Sequence, residues 1–156
     1  MDKSTTNIMR VSEINKVFEN TLFIAMVRNP YAQVEGIIRR NNATTEYAAD
    51  FALKCLRYQK KNQENESNIC CFSYEDLCDN THEVMEMIKE FIPELGVLNT
   101  EIKFSAHNFK TRNKMKIQNL NNEKISKLNS AQLKVVNSFF KKEVSLLKYF
   151  GYCIIE

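Results

Sequence analysis

Leu22-Phe23-Ile24-Ala25-Met26-Val27, followed at once by Arg28-Asn29-Pro30, is the stretch on which the fold turns. An unbroken apolar run bounded by polar residues suits a strand buried on both faces of a parallel sheet. Asn29 is of the type that caps a helix. Pro30 fits a first helical turn, where its missing amide hydrogen would have had no partner. Val34, Ile37 and Ile38 continue at helical spacing, so the segment reads as strand, turn, helix. Amide hydrogens at a helix N-terminus favour an anion, and an arginine at the strand's carboxyl end adds a charge-assisted fork. Arg28 is therefore either a phosphate ligand or an arginine paired with a neighbouring carboxylate.

Working outward, Ser12 to Phe18 reads as a short amphipathic helix with Ile14, Val17 and Phe18 on one side. A helix is predicted from Thr45 to Lys61, its inward side formed by Tyr47, Ala48, Phe51, Ala52, Cys55, Leu56 and Tyr58. Gln63 to Asn68 is a polar loop, and Ile69 to Ser73 a second strand. Asn80 followed by Glu83 resembles a capping box, opening a helix that Pro93 ends. Leu98 to Leu120 shows little periodicity and reads as a long loop of the kind that is often functional. Helices are expected at Asn122 to Leu128 and at Ser130 to Tyr149, the latter stopped by Gly151. Strands separated by helices give an α/β layered fold.

The chain has 156 residues, 44% hydrophobic and 26% charged, which fits one soluble globular domain. Its three glycines, Gly36, Gly96 and Gly151, lie too far apart for a glycine-rich phosphate loop. No apolar run reaches the roughly 18 residues needed to cross a bilayer, and no secretory pattern opens the chain. A cytoplasmic protein without a membrane partner is expected. The five cysteines are odd in number and read as reduced core thiols, with no metal set. A net charge of +3 hides a division: Glu75 to Glu101 carries −7 and Ile102 to Lys127 carries +6. So small an overall charge argues against nucleic acid as the partner.

Phe23 to Ala32 resembles the 3′-phosphate-binding strand, loop and helix of the sulfotransferase superfamily. Ser73-Tyr74-Glu75-Asp76-Leu77 is similar to that family's Tyr-Glu-Asp-Leu corner, and Ile125 to Tyr152 to its closing helices with a terminal Phe-Gly-Tyr. The likeness runs along almost the whole chain, in order. It implies a partial P-loop-like three-layer α/β fold with a short parallel sheet and a mostly helical C-terminal half. It further implies 3′-phosphoadenosine 5′-phosphosulfate as cofactor and sulfuryl transfer to an unknown acceptor. By the same resemblance Arg28 would contact the 3′-phosphate and Tyr74 would lie beside the adenine. Phe109 resembles a stacking aromatic; Lys110 and Arg112, with Lys114 and Lys116, fall where a basic loop would cover the 3′-phosphate. His107 and His82 are candidate bases, and Glu35, Glu75 and Asp76 are carboxylates able to titrate near a ligand.

Two departures qualify this picture. Eight residues after Arg28 the family has a serine, whereas this chain has Gly36, which suggests close approach of ligand or packed backbone. Arg39 and Arg40 follow one turn later. Lys3-Ser4-Thr5-Thr6 echoes the loop that holds the 5′-phosphosulfate, but it lacks the glycine and stands too near Arg28. Residues 1–156 therefore read as one sulfotransferase-like domain shortened on its N-terminal side, inactive alone, with open sheet edges that favour a homo-oligomer. The alternative is a non-catalytic α/β interaction module that uses its acidic helix and basic loop on a protein partner.

Overall fold

Strands β1 (Phe23–Val27) and β2 (Ile69–Ser73) run parallel, with Phe23 opposite Ile69 and Val27 opposite Ser73. This pairing was obtained in a computed structural model that describes residues 2, 4–101 and 116–156. Thr5–Met9 forms a 3₁₀ turn ahead of α1 (Val11–Val17). The crossover from β1 to β2 consists of α2 (Pro30–Asn41) and α3 (Thr45–Asn65). After β2 come α4 (Tyr74–Asp79), α5 (Thr81–Phe91) and a 3₁₀ turn at Pro93–Leu95. The C-terminal part holds α6 (Asn121–Ile125), α7 (Ser130–Phe140) and α8 (Val144–Tyr149), the last two joined by a 3₁₀ turn at Lys141–Glu143.

The expected α/β architecture is present, with helices on both sides of the short sheet. Alternation along β2 divides the core. Cys70 and Phe72 turn toward Val84 and Ile88 of α5, while Cys71 packs against the larger cluster built by α2, α3, α7 and α8. Ala48, Ala49 and Ala52 are fully buried, and their small side chains let α2 lie directly on α3. Tyr31 and Phe140, the largest fully buried side chains, meet edge to face at 4.8 Å between ring centroids.

Several expectations change. Leu22, Ile24 and Met26 are 49%, 46% and 47% exposed, so β1 is covered on one face only. Because α5 sits over β2, the outer face of β1 receives no helix among the described residues. Val17 and Phe18 are likewise exposed. α3 continues to Asn65, taking up part of the expected loop, and its inner side is rotated: Leu53, Gln59 and Asn62 are buried while Tyr47 is exposed. Buried Gln59 and Asn62 are tolerated because Gln59 Nε2 donates to Cys71 Sγ at 2.9 Å and Asn62 Nδ2 to the Ile8 carbonyl at 2.7 Å. Asn80 precedes α5 without a side-chain cap, so the expected capping box is absent there. The long C-terminal helix is broken at Lys141–Glu143, which brings Leu146 and Leu147 back onto the cluster that Val136 and Phe140 enter. Of the cysteines only Cys70 is buried; Cys153 is exposed and is not a core thiol. No helix among the described residues is long and apolar enough to cross a membrane.

Candidate functional site

The parallel register sets the site. Val27 and Ser73 are opposite one another at the last rung, so the next residue of each strand, Arg28 and Tyr74, emerges at the same end of the sheet. Crevices at the carboxyl ends of parallel strands are the usual ligand positions of α/β folds. The Arg28 guanidinium carbon lies 4.1 Å from the centroid of the Tyr74 ring, a cation–π contact. Asn29 caps α2 as its sequence suggests, its side-chain oxygen accepting from the Tyr31 amide at 3.0 Å, with Pro30 in the first turn.

Tyr74 is fixed at its far end: its hydroxyl donates to the Gln118 carbonyl at 2.7 Å and accepts from the Leu120 amide at 3.2 Å. Burial, opposed by the Leu120 amide, holds its phenol above its ordinary pKa, so it remains neutral at physiological pH. Ser73 caps the short α4, accepting from the Asp76 amide at 2.8 Å and donating to the Asp76 carboxylate at 2.6 Å.

Glu75 is the hub. One carboxylate oxygen accepts from the Asn29 amide at 2.9 Å and from the Asn121 side-chain amide; the other accepts from the Tyr152 hydroxyl at 3.0 Å. Burial first, and then the Glu75 charge, push the Tyr152 phenol well above its ordinary pKa, so it stays a proton donor. Arg28 donates through Nε to Asn121 Oδ1 at 2.7 Å. Its Nη2 is buried with no hydrogen-bond partner among the described residues. Among the described residues Arg28 pairs with no carboxylate, which removes the neutralised-arginine alternative. A buried donor left without an acceptor costs about 1–3 kcal/mol, more when charged, and an oxyanion would relieve that cost.

The other expected site residues that are described make their contacts elsewhere. Gly36 is buried within α2, and its neighbour is Arg40, whose Nε donates to the Gly36 carbonyl at 3.0 Å. Arg39 is engaged with Glu35 at 2.8 Å, and Glu35 is itself buried in α2. Phe109, Lys110, Arg112, Lys114 and His107 lie outside the described residues. Lys116 is exposed and pairs with Glu101 at 3.2 Å. His82 is exposed and lines a surface groove with Met85, Lys89 and Leu98. Ser4 and Thr6 hydrogen-bond to one another at 2.9 Å at the first 3₁₀ turn. Sequence reasoning missed Asn121 altogether, and it named Tyr152 only as part of a terminal motif.

Comparison with known proteins adds one finding: a model of the sulfotransferase family matches residues 1–94. That is more than half of the chain, and the chain belongs to the sulfotransferase family. No curated protein and no solved structure matches it. The matched stretch contains Arg28, Tyr74 and Glu75, whereas Asn121 and Tyr152 lie beyond it.

Proposed function

We propose that this member of the sulfotransferase family binds the 3′-phosphoadenosine part of 3′-phosphoadenosine 5′-phosphosulfate at the carboxyl ends of β1 and β2. Arg28 takes the 3′-phosphate through its Nη2, and Tyr74 flanks the adenine. The observation that carries this reading is the buried Arg28 Nη2, unpartnered among the described residues, beside the start of α2. That chemistry fits a phosphate, since an ionised acceptor satisfies an orphaned guanidinium donor while the helix dipole adds to the attraction. The bound nucleotide supplies the activated sulfuryl group. This chain's own residues hold and orient the nucleotide, with Phe109 proposed as the aromatic that stacks on the adenine and Lys110 and Arg112 as cations for the 3′-phosphate. The acceptor of the sulfuryl group is a second ligand whose class these residues do not specify.

Titration calorimetry with adenosine 3′,5′-bisphosphate tests the reading. The wild-type protein should bind it more tightly than adenosine 5′-monophosphate, and Arg28→Ala should weaken the bisphosphate by about 10–100-fold, the loss of one charge-assisted hydrogen-bonded partner. A folded wild-type protein that binds neither nucleotide, or an Arg28→Ala protein that binds as well as the wild type, overturns it.

A further inference from the structure

Arg28 and Glu75 sit close enough to share one neighbour, Asn121, and yet do not pair. An arginine and a carboxylate that meet directly frequently form a forked ion pair. Here the Asn121 side chain stands between them. Its carbonyl oxygen accepts from Arg28 Nε at 2.7 Å, and its amide nitrogen donates to Glu75 Oε1. An asparagine amide has an acceptor end and a donor end, so one orientation alone suits a cation on one side and an anion on the other. Reversing it would set donor against donor and acceptor against acceptor. The Asn29 amide and the Tyr152 hydroxyl complete the carboxylate's hydrogen bonds. Glu75 is therefore satisfied without the guanidinium. Asn121 is buried, at 5% exposure, and its backbone N–H donates to Asn119 Oδ1 at 3.1 Å.

We propose that Asn121 is a positioning residue that keeps Arg28 available to a phosphate by separating it from the Glu75 carboxylate. The inference rests on the reading of Arg28 given above and adds to it a residue 93 positions away, outside the stretch that the family model matches. Asn121 touches no ligand; it acts through Arg28. Without it Glu75 captures the guanidinium and the anion loses its partner.

The test is the ratio of dissociation constants for adenosine 5′-monophosphate and adenosine 3′,5′-bisphosphate, because a merely structural role would change both constants together. Asn121→Ala is expected to lower the ratio at least tenfold, and Asn121→Asp, which sets a carboxylate against Nε, at least as much. Adding Glu75→Gln to Asn121→Ala removes the competing charge and should restore most of the ratio. An unchanged ratio in Asn121→Ala, or no recovery in the double variant, overturns the positioning role while leaving the reading of Arg28 intact. A wild-type protein without any preference for the bisphosphate overturns both. Should the variants fail to fold, NMR of the unmodified protein decides: an Arg28 Nε–H resonance with cross-peaks to Asn121 supports the role, and cross-peaks to Glu75 in their place overturn it.

Discussion

A methyl group added at Gly36 would lie 3.5 Å from Arg40 Nη2, an ordinary van der Waals contact, and the residue sits in the interior of a 12-residue helix. Glycine at such a position costs about 0.5–1 kcal/mol relative to alanine through backbone entropy. Gly36→Ala should therefore raise the thermal midpoint by about 2–4 °C per kcal/mol gained, measured by circular dichroism. Arg28 was legible in the sequence because it directly follows an apolar run and precedes a helix start, a local pattern, whereas Tyr74 was reached only through the resemblance of its corner to a family motif. Asn121 was not legible. Its contacts arise from the fold bringing Leu120 to Tyr74 and Asn121 to Glu75, and nothing in its immediate neighbours announces that. Tyr152 was visible only as the end of a terminal motif, since a phenol that meets a carboxylate 77 residues earlier leaves no periodic trace.

Among the elements, β1 shows how a continuous apolar run misleads. The run suits a strand covered on both faces, but coverage depends on where α5 lands, and α5 lands on β2. Leu22, Ile24 and Met26 are left as an exposed apolar strip on a strand whose outer edge is unpaired among the described residues. Helix termini were read unevenly for a related reason. Asn29 caps α2 as expected, whereas the box expected at Asn80 stands instead at Asn129, which accepts from the Gln132 amide at 2.9 Å while Gln132 returns the bond to the Asn129 amide. Residue type alone does not fix a cap, because the backbone of the capping residue must be extended; Asn129 meets that condition at φ −77° and ψ 168°, and Asn80 at ψ 46° does not. Asn129→Ala should destabilise the protein by about 1 kcal/mol in urea unfolding, since the side-chain acceptor for the Gln132 amide is lost.

At the level of the molecule, the C-terminal residues act as a clasp. The Tyr31 hydroxyl donates to Asn137 Oδ1 at 2.5 Å and accepts from the Ile155 amide at 3.1 Å, while Tyr152 reaches Glu75. Burial raises the phenols of Tyr31, Tyr74 and Tyr152 above their ordinary 10.0, and raises the thiols of Cys55, Cys70, Cys71 and Cys78 above 9.0. The unfolded chain gives up these protons at the ordinary values and the folded chain does not, so above pH 9 to 10 the unfolded state binds fewer protons. Stability should be level at neutral pH and fall as the pH rises through that window. Urea midpoints measured from pH 7 to 11 should show it, and Tyr152→Phe should give a shallower fall from a lower starting point.

The distance along the chain between the groups that meet at Arg28 has a consequence for synthesis. A ribosome makes Arg28 and Glu75 long before it makes Asn121 and Tyr152. The bonds of Asn121 to Arg28 and to Glu75 therefore form only after residue 121 has been made. The arrangement around Arg28 is thus completed late in synthesis, however early its two charged members are made.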